Sequence, residues 1–110
     1  MLDAATHSER ENARMGTKPH LLVHHKADNV GVVVVEGLTA GTEMLAVCTE
    51  DNSDFRITAK ADIPIGHKVA LKDLKAGETV IKYGEDIGKM VGDAETGGHV
   101  HTQNLKTKRW

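Results

Sequence analysis

The chain has one cysteine, Cys48, and three aromatic residues, Phe55, Tyr83 and Trp110, among 110 residues. A lone thiol cannot close an intrachain disulfide, and it excludes a Cys-x-x-Cys metal site. Such sparing use of cysteine fits a reducing cytoplasm. Cys48 lies in an apolar stretch without a basic neighbour to lower its pKa, so it reads as a buried thiol rather than a nucleophile. With aromatics at 3%, the core must be assembled from Val, Ile, Leu and Ala. That core is thin, because small domains bury a small share of their surface. A partner subunit would help to cover it. No apolar run approaches the roughly 20 residues of a membrane span, and the opening MLDAATHSERENARMG lacks the apolar centre of a secretory signal. No membrane contact is therefore expected. Positive charge is not in excess either: the formal net charge is -2. That excludes a general electrostatic attraction to nucleic acid or to an anionic bilayer. The closing run KTKRW is basic but short, and reads as a solvated tail.

What is present is enough for one folded domain, with 39% hydrophobic and 27% charged residues. Residues 1–18 are charged, rich in Ser and Asn, and aperiodic, so they are expected to be a disordered extension. The folded domain is expected over 19–110. From Pro19 onward the signals are those of short strands. LLVHH is the first candidate. VGVVVVE is a continuous β-branched run, the mark of a well-buried strand. MLAVCTE is strand-like, and FRITAKAD alternates, with Phe55, Ile57 and Ala59 facing one way. The IPIG loop leads into HKVAL, TVIKYGE reads as a strand, DIGKMVGDAETGG as a loop-rich passage, and HVHTQNL as the last strand. Glycines punctuate the whole, and no window sustains a helical period. The pattern predicts a small all-β domain of short strands and Gly-rich turns. GLTAGTEML and DLKAGETVI, beginning at residues 37 and 73, echo each other as matching turns entering matching strands, and suggest a pseudo-symmetric sheet.

The chemistry-bearing residues cluster in two places. In HVHTQN, His99 and His101 are two apart, which on a strand sets both imidazoles on one face. Neutral imidazoles so placed can share a divalent metal, and protonated ones can hold a carboxylate or sulfonate. Two surface histidines on a strand edge would show the same spacing. In IPIGHKVAL, His67 and Lys68 follow a glycine turn at the mouth of a strand, where a cation can hold an anion; a solvated turn is the plainer alternative. His24 and His25 point to opposite sides of their strand, so at most one can join any given site. One histidine pair and little apolar volume make at most half of an active site, since a metal centre needs about three protein ligands and a dry surround.

Four segments in order, DNVGVVVVEGL, DIPIGHKVAL, VIKYGEDIG and GGHVHTQNLKTKRW, resemble the SAF domain of the altronate and galactarate dehydratase family. The resemblance spans about residues 20 to 110. TEDNSDFRI, KPHLLVHHKADNVGVVVVEGL and the stop at KTKRW are similar to its sulfite-releasing branch, where small and large subunits are separate chains. The resemblance implies an all-β, β-clip (SAF-like) fold. It also implies a lyase site shared with a large catalytic (beta) subunit, a divalent metal with iron as the expected ion, and a small anionic hydroxy acid as substrate. Its closing motif falls on His99 and His101, the expected metal-binding and catalytic pair, and on Asn104. Asn104, His67 and Lys68 are then the expected substrate-binding residues. Where the family often has a third histidine this chain has Gln103, which leaves a hydrogen-bonding role. The alternatives that remain are the small subunit of a sugar-acid dehydratase and a non-catalytic β-clip binding module. The isolated chain could also self-associate through sheet edges.

Overall fold

A computed structural model describes residues 18–107. The expected N-terminal extension therefore lies outside the described residues apart from Lys18, as do residues 108–110 of the basic tail. The described residues form nine strands and no helix: β1 (Leu21–Val23), β2 (Val30–Val33), β3 (Glu43–Cys48), β4 (Asp54–Thr58), β5 (Lys68–Ala70), β6 (Thr79–Lys82), β7 (Glu85–Met90), β8 (His99–Val100) and β9 (Leu105–Lys106). The all-β expectation holds. No helix among the described residues is long and apolar enough to cross a membrane.

Six strands make one sheet in the order β4-β3-β1-β2-β5-β8, and β6-β7-β9 make a second. All pairings are antiparallel except β1 with β3. The β-branched run supplies β2, which lies between β1 and β5 with Val30 and Val33 fully buried. Cys48 ends β3 as a buried free thiol. Two apolar clusters form the core. One gathers Leu21, Val33, Leu38, Met44, Ile57 and Ile63; the other gathers Val30, Leu74, Val80, Met90 and Val100. Asn29 joins the sheets. Its Oδ1 accepts the Ile81 N–H at 2.8 Å and its Nδ2 donates to the Thr79 carbonyl at 3.0 Å, so the amide acts as one more rung for β6.

The echo seen at residues 37 and 73 is part of a fourfold device. Turns Leu38–Thr42, Ile63–His67, Leu74–Glu78 and Ala94–Gly98 each begin at a bridge residue and carry a left-handed glycine, Gly41, Gly66, Gly77 and Gly97, at the same position. They associate in pairs. Leu38 bridges Ile63, and Leu74 bridges Ala94. Across the first pair, the Ala40 N–H donates to Asp62 Oδ1 at 2.9 Å. Across the second, the Ala76 N–H donates to Asp93 Oδ1 at 2.8 Å and the Thr96 N–H to Asp73 Oδ1 at 2.8 Å. The Thr96 N–H, and its hydroxyl at 3.0 Å, hold the Asp73 carboxyl below its usual range. Gly97 has a reason beyond its φ of +87°: a Cβ there would lie 2.0 Å from the Thr58 carbonyl oxygen. That contact, with the Lys60 N–H donating to the Gly97 carbonyl at 2.9 Å, brings the last turn back to the end of β4.

Two local expectations are corrected. DIGKMVGDAETGG was expected to be loop-rich, yet it begins with most of the six-residue strand β7. Gly88 misled there, since in a strand glycine marks close backbone approach, and a Cβ on Gly88 would lie 2.2 Å from the Lys106 carbonyl oxygen of β9. HVHTQNL was expected to be one strand. It is split into β8 and β9 by a turn over 101–104, in which the Asn104 and Leu105 N–H groups both donate to the His101 carbonyl. Phe55 stands opposite Ala46 on the edge strand β4 but remains 39% exposed, unlike Ile57 and Ala59. Alternation gives the face a side chain takes, and not how far the covering layer extends.

Candidate functional site

The pairing of β5 with β8 builds the site. Its register sets Lys68 opposite Val100 and Val69 opposite His99. Continued by one residue, that register sets His67 opposite His101, where the Ile63–His67 turn ends and the 101–104 turn begins. The two rings stack, with centroids 3.6 Å apart and planes 12° apart. On the diagonal, His67 Nδ1 stands 2.8 Å from His99 Nε2. His99 and His101 lie nearly parallel with centroids 6.1 Å apart. The expected pair therefore does share a face, and His67 joins it as a third ring. Lys68, grouped with His67 in sequence, goes elsewhere: it lines a hollow of about 300 Å³ with His101, Thr102, Ile87, Leu105 and Thr107.

Asn104 fixes the geometry. Its Oδ1 accepts the His101 N–H at 3.0 Å and its Nδ2 donates to the His99 carbonyl at 2.9 Å. It is therefore bound to the backbone of both histidines. Gln103 reaches the other side of His99, with Nε2 3.2 Å from Nδ1. Burial, then His67 and His101, push the His99 pKa down. Burial, then His67 and Lys68, do the same for His101. Both imidazoles are thus kept neutral to lower pH than a free histidine. Lys68 is lowered as well, first by burial and then by the nearby Lys82 ammonium. His101 Nδ1 is buried without a hydrogen-bond partner, so one polar atom of the site is poised for a group from outside the chain.

Protonation state and spacing decide whether the donor set suits a divalent ion. Metal ligation needs neutral imidazole, which His99 and His101 supply. The nitrogens that meet are those of His67 and His99, and their 2.8 Å gap is close to the roughly 3 Å between adjacent ligands on an ion with bonds near 2.1 Å. It is equally the length of a hydrogen bond. Among the described residues no group of three or more His, Cys, Asp or Glu side chains could hold an ion. The residues fit only as a partial set of imidazole donors.

Among the described residues the other histidines are outside this cluster. His24 stacks on the ring of Tyr83, with centroids 4.1 Å apart. His25 lies 3.5 Å from Glu50 and accepts the Ala27 N–H. The sequence reading did not single out Gln103 as a contact of His99. Lys82 and Tyr83 lay within VIKYGEDIG, which was valued only as a motif.

Residues 19–108 match the altronate/galactarate dehydratase SAF domain. Among curated proteins, a (2R)-sulfolactate sulfo-lyase subunit alpha from Paracoccus pantotrophus is 85% identical over 67 residues, covering 61% of this chain and all of that protein. A protein of the same name from Chromohalobacter salexigens is 48% identical over 89 residues, covering 81% of this chain and 95% of that protein. An altronate dehydratase from Escherichia coli is 41% identical over 83 residues, 76% of this chain but 15% of that enzyme.

Proposed function

The chain belongs to the altronate/galactarate dehydratase SAF-domain family, and from that premise we propose that it is the small subunit of a carbon–sulfur lyase that eliminates sulfite from (2R)-3-sulfolactate to give pyruvate. Two relatives that it covers almost completely carry the name of that enzyme's alpha subunit, which also implies a partner subunit. The observation that carries the site is the stack of His67, His99 and His101 beside Lys68, with His101 Nδ1 buried and unpartnered.

The reaction removes the proton α to a carboxylate and expels sulfite from the neighbouring carbon; the resulting enol becomes pyruvate. Charge develops on the carboxylate as the proton leaves, so cations and N–H donors already aimed there lower the barrier. Lys68, at the wall of the hollow, is placed to hold the carboxylate or the sulfonate. A sulfonate keeps its charge, and charge-assisted donors suit it. Asn104 holds the backbone of His99 and His101, and thereby orients both rings. His67 and His99, with His101 adjacent, would hold a divalent ion together with ligands from the large subunit. Such an ion, iron being the expected one, would supply Lewis-acid charge to the carboxylate and 2-hydroxyl oxygens. The general base is assigned to the large subunit.

A second reading is the SAF portion of a sugar-acid dehydratase, favoured by the 41% identity to altronate dehydratase. The test is co-expression of the chain with its large subunit, followed by assay of sulfite and pyruvate release from sulfolactate and of keto-acid release from altronate. Sulfite release, reduced by about 10²-fold or more in His101→Ala with the fold intact, is the expected result. Altronate turnover alone would select the second reading. Full activity in His101→Ala would make the domain a non-catalytic module.

A further inference from the structure

The hollow beside the histidines is built from both sheets, and the two sheets give it unlike walls. Lys68, on β5, and His101, just after β8, come from the six-stranded sheet and supply a cation and an imidazole. Ile87, on β7, and Leu105, on β9, come from the three-stranded sheet and supply only carbon. Thr102 and Thr107, both exposed, complete the lining.

The apolar wall is fixed in place. Ile87 and Leu105 are half-buried and pack against the cluster that contains Val80 and Met90, both of them fully buried. Neither side chain can withdraw from the hollow without opening that core. Gly88 keeps β9 close to β7, since a Cβ there would lie 2.2 Å from the Lys106 carbonyl oxygen and 3.2 Å from the Thr107 Cα. The Leu105 N–H also donates to the His101 carbonyl at 2.9 Å, which ties the apolar wall to the imidazole.

At about 300 Å³ the hollow lies at the small end of ligand sites. Its volume alone accepts a hydroxy acid of three carbons or of six; the lining separates them. An acidic group held by Lys68 leaves the rest of so small a ligand against Ile87 and Leu105. A methylene placed there is favoured by leaving water. A hydroxyl placed there gives up its hydrogen bonds to water and finds no donor or acceptor on either side chain.

We infer that Ile87 and Leu105 are specificity-determining residues of the site, which select a short 2-hydroxy acid whose third carbon is a methylene and reject polyhydroxy acids. The inference rests on the hollow being the substrate site. It assigns to this chain, and not to the large subunit, the choice between sulfolactate, with a methylene at that carbon, and a sugar acid such as altronate, with a hydroxyl there.

The test uses the complex of this chain with its large subunit, with lactate and glycerate as competitive inhibitors of sulfite release from (2R)-3-sulfolactate. The two inhibitors differ by one hydroxyl on the third carbon. Lactate is expected to bind roughly 10-fold more tightly than glycerate. Ile87→Thr, which puts a hydroxyl on the wall in a side chain suited to a strand, and Leu105→Asn are each expected to bring the two inhibition constants within about 2-fold of each other. Leu105→Met keeps the wall apolar and is expected to keep the difference. Lys68→Gln is expected to weaken both inhibitors alike, since both carry the carboxylate. Should Leu105→Asn fail to fold, Ile87→Thr carries the test. Equal inhibition by the two acids in the unaltered complex, or an unchanged ratio in folded Ile87→Thr, would overturn the inference; weakening of both by Lys68→Gln would then leave the substrate site standing. Inhibition indifferent to Lys68→Gln, or a complex that releases no sulfite, would overturn both.

Discussion

Asn104 and His101 are tied through two hydrogen bonds of the chain's own making, since the Asn104 Oδ1 accepts the His101 N–H and the Asn104 N–H donates to the His101 carbonyl, which also accepts the Leu105 N–H. The imidazole is therefore held by a closed turn and not by the strand that precedes it. Asn104→Ala removes both side-chain hydrogen bonds, including that to the His99 carbonyl. A loss of about 1–2 kcal/mol in stability is expected from two half-buried hydrogen bonds. Turnover of the assembled enzyme should fall further than that loss accounts for, because both rings lose their aim. Thermal melts and sulfite release measured on one preparation would check the two effects. Unchanged turnover would remove Asn104 from the orientation of the site.

Gly77 and Gly97 occupy equivalent turns, and the structure separates their roles. Both have left-handed φ, at +94° and +87°. Nothing lies within 4 Å of a Cβ built on Gly77, whereas one on Gly97 meets the Thr58 carbonyl oxygen at 2.0 Å. Gly77→Ala should cost about 1 kcal/mol, the cost of the backbone conformation alone. Gly97→Ala must also move β4 or the last turn, and should cost more than about 3 kcal/mol or prevent folding. Equal effects in denaturant melts would mean that the closure at Thr58 contributes nothing.

These turns also show what was legible in the sequence. Val30 to Val33 and Met44 to Cys48 read as strands because β-branched and apolar runs carry the signal locally. Two of the four turns were visible because both contain Ala-Gly after a leucine. The other two share the backbone and the glycine position while replacing the rest, with Pro64 and Ile65 in one and Glu95 and Thr96 in the other. Backbone geometry was repeated and side chains were not. The face shared by His99 and His101 followed from their spacing, but His67 joined them only through the pairing of β5 with β8, which no local pattern reports.

Asp62 and Asp93 are expected to act alike and independently. Each accepts a backbone N–H from the partner turn, Ala40 for Asp62 and Ala76 for Asp93. Each pair lies over a different apolar cluster, that of Leu38 and Ile63 or that of Leu74. Asp62→Ala and Asp93→Ala should each cost roughly 1 kcal/mol, and the double variant should show their sum within about 0.5 kcal/mol. Marked non-additivity in urea melts would mean that the two halves of the domain share one folding nucleus and not two matched ones.

Stability should fall in mild acid, and the sign follows from the histidines. Burial, ahead of neighbouring bases, lowers the pKa of both His99 and His101 from 6.5. The groups that face them are His67 and Lys68, together with each other. In the unfolded chain these imidazoles take a proton near 6.5, and in the folded chain only at lower pH. Between those values the unfolded state binds more protons, so stability increases with pH. The stabilisation is present in full above about pH 6.5 and is lost progressively below it, down to the lowered folded values. Asp51, held low by the Ser53 hydroxyl and N–H, and Asp73, held low by Thr96, titrate further into acid and leave the range above about pH 5 to the imidazoles. Melting temperatures of the chain should be level from about pH 8 to 7 and drop from about 6.5 to 5. His101→Gln should flatten part of that drop, since it removes one buried imidazole from the balance. An undiminished drop in that variant would mean that His101 is protonated as readily in the fold as outside it, and the buried, neutral ring assigned to the site would not exist.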